Sequence, residues 1–181
     1  GGHFYPGLVL AQTLSRRGWE PLVLVRREDP ALEVLEREGI ASCELPLSGM
    51  PRRLGLPLLG FGKDLARSLG LVSRVVRDFS PSAVMGMGGY LTFPAVAAAA
   101  RHGVPRALHE SNAVLGLANR AAAALGAELL WGLPPTQGQG RLTGTPIRAA
   151  LWSRGDAAAA RQKLGLAALK TTALVFGGSQ G

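Results

Sequence analysis

The sequence predicts an α/β domain built on a mainly parallel, doubly wound sheet, and three observations carry that prediction. Strand-like and helix-like segments alternate along the whole chain, the pattern that sets helices on both faces of a parallel sheet. Glycine-rich turns stand where strands should run into helices, at Gly86-Met87-Gly88-Gly89-Tyr90 and Gly177-Gly178-Ser179-Gln180-Gly181, and a third, Gly1-Gly2-His3, opens the chain. Hydrophobic residues are 47% and charged residues 18% of the 181, a balance that supports one buried core and excludes the disordered class.

The elements follow in order. Residues 6–17 place Leu8, Leu10, Ala11 and Leu14 near helical spacing, and Gly18 supplies a stop. Residues 21–25 are a short buried strand. Asp29 and Pro30 open a helix through Glu38 that ends at Gly39, with Pro in the first turn and Gly just past the last. Residues 41–45 form the next strand. Residues 46–62 are dense in Pro and Gly and read as a loop or a broken segment. A long amphipathic helix over 63–79 follows, and the apolar strand 83–87 runs straight into Gly88-Gly89. Residues 92–102 are an alanine-rich helix, 106–110 a strand ending in a polar cluster, and 115–125 another helix. Residues 128–131 and 141–143 are weaker strand candidates. Asp156 caps a helix over 156–164, and 171–176 is a β-branched, apolar strand leading into Gly177.

A glycine-rich loop that opens a helix in this architecture follows a strand. None precedes Gly1, so the expectation is a fragment whose first, central strand is missing and whose neighbouring strands carry open edges.

The formal charge of +8, mostly from Arg, favours phosphates, acidic lipid headgroups or nucleic acid. Nucleic acid is the weakest of these, because the basic residues are scattered and few aromatics accompany them. A lone Cys43 excludes an intramolecular disulfide framework and a Cys-based zinc cluster, and fits a reducing cytosol. Apolar stretches fall short of the ~20 residues that span a bilayer.

Glycine at a strand-to-helix turn lets backbone approach a ligand, and the helix N-terminus offers unpaired N–H groups to phosphate. Each turn alone is equally explained by a tight bend, whereas three together suggest a phosphate-rich ligand. A dinucleotide fingerprint is absent, since its third glycine would fall on Leu91, and no Gly-x-x-x-x-Gly-Lys run occurs.

Five motifs occur together: Gly1-Gly2-His3-Phe4-Tyr5-Pro6, Gly86-Met87-Gly88-Gly89-Tyr90, His109-Glu110-Ser111-Asn112, Gly144-Thr145-Pro146-Ile147-Arg148 and Gly177-Gly178-Ser179-Gln180-Gly181. In order and approximate spacing they resemble the MurG family of UDP-N-acetylglucosamine:N-acetylmuramyl-(pentapeptide) pyrophosphoryl-undecaprenol N-acetylglucosaminyltransferases, along the whole chain. The departures are Ser111 where the family usually has Gln, and Thr145 and Ile147 where it has Asn and Val.

The resemblance implies the GT-B architecture, two Rossmann-like domains facing a cleft. Residues 1–143 would be the N-terminal acceptor-binding domain, 144–170 the interdomain linker, and 171–181 the first strand and glycine-rich loop of the donor-binding domain. It also implies an inverting transfer of N-acetylglucosamine from UDP-N-acetylglucosamine to the 4-hydroxyl of an undecaprenyl-linked muramyl-pentapeptide, in peptidoglycan synthesis on the cytoplasmic face of the cell membrane. No cofactor or metal is expected, and no Asp-x-Asp run is present to hold one.

By the same resemblance His3 and Glu110 are the catalytic candidates. His3 would be a general base, because imidazole accepts protons near neutrality, or else a helix-start residue that hydrogen-bonds backbone or orients a ligand. Glu110 would be a base or a supporting partner, and His109 with it; read from the residue alone, His109 is instead a satisfied buried histidine. Gly2, Gly88, Gly89, Tyr90, Asn112, Arg148, Ser179 and Gln180 would bind substrate. Asn112 is alternatively a helix cap, and Arg148 either forks onto the donor diphosphate or is an isolated surface residue.

Over residues 50–77, Leu54, Leu56, Leu58, Leu59 and Phe61 stand beside Arg52, Arg53, Lys63, Arg67, Arg74 and Arg77. An apolar patch ringed by cations would rest on an anionic membrane surface, unless those leucines are core. Two further functions stay open: another GT-B transferase acting on a lipid such as diacylglycerol, and a non-catalytic domain that binds the lipid-linked precursor or a division partner. Without the second domain, residues 1–181 alone are expected to transfer nothing.

Overall fold

The computed structural model describes residues 3–47, 49, 56–136, 138–152 and 155–175. Helix α1 (Phe4–Arg16) buries Pro6, Leu8 and Ala11 along one side, the stripe its spacing demands. It stops where Gly18 takes φ +82°, a left-handed conformation that glycine adopts without a Cβ penalty. Strand β1 (Leu22–Arg26), helix α2 (Ala31–Arg37) and strand β2 (Ala41–Leu45) make one βαβ unit. The strands are parallel from Leu22 opposite Ala41 to Arg26 opposite Leu45. Asp29 starts α2 by accepting the Ala31 N–H at 3.0 Å. Leu8, Ala11, Val25, Ala31, Leu35 and Ile40 close the core between these elements.

Helix α3 (Leu56–Phe79) precedes strand β3 (Val84–Gly86), helix α4 (Thr92–Arg101), strand β4 (Arg106–Glu110), helix α5 (Leu117–Ala123) and strands β5 (Glu128–Trp131) and β6 (Arg141–Leu142). A single 3-10 turn at Ala149–Leu151 and helix α6 (Ala157–Lys163) follow, the latter capped by Asp156, which accepts the Ala158 N–H at 2.9 Å. The second sheet has the order β3-β4-β5-β6, parallel throughout. Helices α4 and α5 are the crossovers from β3 to β4 and from β4 to β5, and Val96 and Ala122 on them pack with Leu108 of β4, while no helix lies between β5 and β6 among the described residues.

The described strands thus form two sheets, β1-β2 and β3-β4-β5-β6, with no ladder between β1 and β3. Two features hold the parts together. Leu24 of β1 and Leu45 of β2 pack with Val72 and Val76 of α3 and Ala98 of α4. Helix α1 packs Phe4 and Leu8 against β1, while its first turn lies on the loop after β3, Gly7 against Met87.

Two expectations are corrected. Residues 56–62, expected as loop or broken chain, are the first turns of α3. Pro57 is tolerated in a first turn because the N–H that proline lacks would have no helical acceptor there, and Gly60 and Gly62 weaken a helix by only about 1 kcal/mol each. Residues 171–175, expected as a strand, have no regular structure, and Leu174 and Val175 are 81% and 93% exposed. β-branched residues do not hold a strand without a partner to pair with.

Candidate functional site

Parallel strands deliver their carboxyl ends to one edge, and the motif residues gather there. Gly86 ends β3 in a tight place: a Cβ on it would lie 2.8 Å from Leu108 Cδ2 and would run into the Thr92 methyl. Gly88 and Gly89 then turn the chain with φ +102° and +75°. The Gly88 N–H donates to Thr92 Oγ1 at 3.0 Å, which locks the turn onto the start of α4.

His3 lies directly over this turn. A Cβ on Gly88 would be 2.5 Å from His3 Nδ1 and 2.8 Å from Cε1, and one on Gly89 would be 3.8 Å from Cδ2. His3 occupies the N-cap position of α1 yet makes no side-chain capping bond, so its imidazole is exposed and uncommitted among the described residues. The helix-start role that competed with a chemical role is thus not what holds it. Tyr90, half-buried, leans toward Gly49, whose Cβ would sit 3.8 Å from the ring.

Glu110, the last residue of β4, is only 2% exposed. One oxygen accepts the Asn112 N–H at 3.0 Å and the Asn112 side-chain amide at 2.9 Å; the other accepts the Gly116 N–H and the Asn119 amide, both at 3.0 Å. Burial pushes the Glu110 carboxyl up, but the N–H groups of Gly116 and Asn112 and the amides of Asn119 and Asn112 outweigh it and hold it below the usual carboxylate range. A carboxylate so engaged keeps its charge and has little basicity to spare. Of the two roles left open for Glu110, this geometry fits the supporting one: it shapes the loop that presents Asn112.

His109 is buried, its Nε2 3.1 Å from the Gly144 carbonyl and its Nδ1 3.5 Å from Ser111 Oγ. It ties β4 to the segment that follows β6, as a satisfied buried histidine does. Gly132 packs against Thr145 Oγ1 and the Glu110 carbonyl, which draws that segment onto the same edge. Arg148 ends beyond it with its guanidinium 5.4 Å from the centre of the Tyr5 ring, a cation–π contact beside His3 in the chain.

His3 thus stands over the Gly88-Gly89 turn, closest to Gly88. Asn112 lies on the neighbouring strand's carboxyl end, and Arg148 reaches the first turn of α1. Gly2, Ser179 and Gln180 lie outside the described residues. Sequence reasoning missed Tyr5, Thr92, Gly116 and Asn119. Tyr5 stood inside a quoted motif, but Asn119 sits mid-helix at a position that reads as a solvated face, and only the fold turns it inward onto Glu110.

A parallel α/β layer with glycine turns, a free histidine and an exposed asparagine along its carboxyl edge defines a Rossmann-like half of a GT-B glycosyltransferase. Residues 1–127 match the model of the glycosyltransferase family 28 N-terminal domain, and the chain belongs to that family. The UDP-N-acetylglucosamine–N-acetylmuramyl-(pentapeptide) pyrophosphoryl-undecaprenol N-acetylglucosamine transferase of Elusimicrobium minutum is 35% identical over 184 residues, covering 100% of this chain and 51% of that protein. The protein of the same name from Bordetella parapertussis is 38% identical over 151 residues, covering 83% of the chain and 42% of that protein. Among solved structures, Acinetobacter baumannii MurG superposes with TM-score 0.66 at 25% identity over 83% of this chain and 44% of its own. The SsfS6 glycosyltransferase of Streptomyces sp. SF2575, at TM-score 0.52 and 18% identity over 76% of this chain and 49% of its own, shares the fold. The chain spans about half the length of the curated relatives it matches.

Proposed function

We propose that the chain is the acceptor-side half of an inverting transferase that moves N-acetylglucosamine from UDP-N-acetylglucosamine to the 4-hydroxyl of undecaprenyl-pyrophosphoryl-N-acetylmuramyl-pentapeptide. The observation that carries this reading is the free imidazole of His3 resting on Gly88 at the carboxyl edge of a family 28 domain. In the reaction the acceptor oxygen attacks the anomeric carbon, that carbon's bond to the diphosphate oxygen breaks, and UDP leaves with the bonding electrons. The hydroxyl proton passes to His3.

The remaining residues take supporting roles. The Gly88 N–H is spent on Thr92, so the N–H groups of Gly89 and Tyr90, ahead of α4, are those available to the acceptor's pyrophosphate. Asn112 gives its N–H groups to Glu110 and keeps its carbonyl oxygen for a sugar hydroxyl. Arg148, stacked on Tyr5, turns its forked donors to the donor diphosphate as the leaving charge develops. Gly2, Ser179 and Gln180 complete the set as substrate contacts. Residues 1–143 form the acceptor domain, 144–170 the linker, and 171–181 the start of the donor domain.

The working position is the cytoplasmic face of the membrane, held peripherally. Among the described residues no helix is long and apolar enough to cross a bilayer. Leu59 on α3 is 72% exposed beside exposed Lys63 and Arg67, which supports contact with anionic lipid.

The test uses the full-length protein that contains this chain. Transfer of labelled N-acetylglucosamine to the lipid-linked muramyl-pentapeptide is expected, with His3→Ala reducing turnover on the order of a hundredfold or more. Labelling of diacylglycerol instead would establish a different lipid glycosyltransferase, and binding of the precursor without any transfer would establish a binding module.

A further inference from the structure

Arg148 is exposed and forms no ion pair among the described residues. Its guanidinium instead stands over the Tyr5 ring, 5.4 Å from the ring centre and inside the ~6 Å over which an aromatic face attracts a cation. The backbone leading to Arg148 is fixed as well. The Thr143 and Gly144 N–H groups both donate to the Trp131 carbonyl, at 2.9 and 3.1 Å, and His109 Nε2 lies 3.1 Å from the Gly144 carbonyl. Thr145 then packs on Gly132. The side chain is thus held at both ends, by the carboxyl edge of the sheet at its root and by Tyr5 at its tip.

Tyr5 is itself braced. Its ring meets that of Phe4 edge to face, with centres 5.4 Å apart and planes at 62°, and Phe4 packs against the core that Leu8, Ala11 and Val25 form. Tyr5 remains 49% exposed, so part of its ring is open to a cation from the surface. The kind of partner matters. A carboxylate would occupy the arginine fork and cancel its charge, whereas an aromatic ring attracts the cation without neutralising it and without taking strong hydrogen bonds from its N–H groups. An arginine held this way gives up side-chain freedom before a ligand arrives and keeps its donors for an anion. His3 stands two residues ahead of Tyr5, at the N-cap of the same helix. The imidazole and the platform under Arg148 therefore belong to one helix start.

We infer that Tyr5 is a positioning residue, whose ring holds Arg148 fully charged in the geometry that receives the donor diphosphate. The inference rests on the donor role proposed above for Arg148 and adds the residue that sets it.

The experiment uses UDP alone as the probe, titrated by calorimetry into the full-length protein and into Tyr5→Phe, Tyr5→Leu, Arg148→Gln and Tyr5→Leu/Arg148→Gln variants. Tyr5→Phe keeps an aromatic face and should bind UDP within about twofold of the wild type, whereas Tyr5→Leu should bind roughly three- to tenfold more weakly. Because Tyr5 acts through Arg148, the double variant should bind no more weakly than Arg148→Gln alone. Losses that multiply in the double variant overturn the proposal, as does a Tyr5→Leu protein that binds UDP like the wild type. In transfer assays Tyr5→Leu should lower kcat/KM for UDP-N-acetylglucosamine and leave the KM for the lipid-linked acceptor unchanged. A matching rise in the acceptor KM would mean that the variant deforms the helix start under His3, and would also overturn the proposal. Absence of sugar transfer by the wild type would sink the proposed function, while the UDP titrations would still decide the role of Tyr5.

Discussion

At the scale of single residues, the two glycines after β3 have different duties although both lie in the left-handed region. Alanine at Gly89 would meet only the conformational cost of about 1–2 kcal/mol, since its Cβ stays 3.8 Å from His3. Alanine at Gly88 would meet that cost and also drive a methyl into the imidazole at 2.5 Å. Gly88→Ala is therefore expected to remove most transfer activity in the full-length protein, and Gly89→Ala to lower the melting temperature with a smaller loss of activity. Equal losses at the two positions would mean that His3 has no part in turnover. The glycines themselves were legible in the sequence, as turns. That one of them seats His3 was not, because the contact joins residues 85 positions apart and no local pattern records it.

Glu110 gives a second residue-scale expectation. Its folded-state value is depressed, so the stability it contributes is present above the unfolded carboxylate range and is lost as pH falls through the folded one. Glu110→Gln would set an amide NH₂ against two N–H donors in a buried site, which costs roughly 2–3 kcal/mol at neutral pH. Urea midpoints of the wild type and the variant should differ clearly near pH 7 and converge as pH falls through the depressed folded-state range of Glu110. A constant gap across that interval would show that the four bonds do not depend on the charge.

At the scale of elements, helix positions were legible wherever an apolar stripe ended in a glycine stop, as in α1, α2 and α4. The first turns of α3 were hidden because Pro and Gly, read locally, signal a loop. The apolar face decides otherwise: Ser68, Val72 and Val76 recur at four-residue spacing and are buried. Leu59, Lys63, Arg67, Arg74 and Arg77 follow the opposite side, and all five are exposed. That arrangement leaves Leu59 out of the core, where the sequence could not separate core from surface. Vesicles rich in phosphatidylglycerol should therefore sediment the full-length protein, less so as salt rises, and Leu59→Asp should weaken the association. Sedimentation indifferent to lipid charge and to Leu59 would count against a membrane role for α3.

At the scale of the whole molecule, the division of the strands into two sheets sets how stability is distributed. Strand β4 pairs on both sides, with β3 and β5, and its last three residues are buried. Strands β1 and β3 each pair on one side only. An unpaired edge leaves backbone groups to solvent and lets a strand open without unfolding its neighbours. Hydrogen exchange in the 181-residue chain should then be slowest for amides in β4 and measurably faster in β1 and β3, whose packing through Leu24, Leu45, Val72 and Ala98 slows opening but supplies no ladder bonds. A polypeptide lengthened ahead of Gly1 by one native strand would fill the interval that α1 spans. It should slow exchange in both β1 and β3, with little change in β4. If exchange in β1 and β3 already matched β4 in the shorter chain, or if lengthening it protected only one of the two, the two sheets would not be halves of one layer.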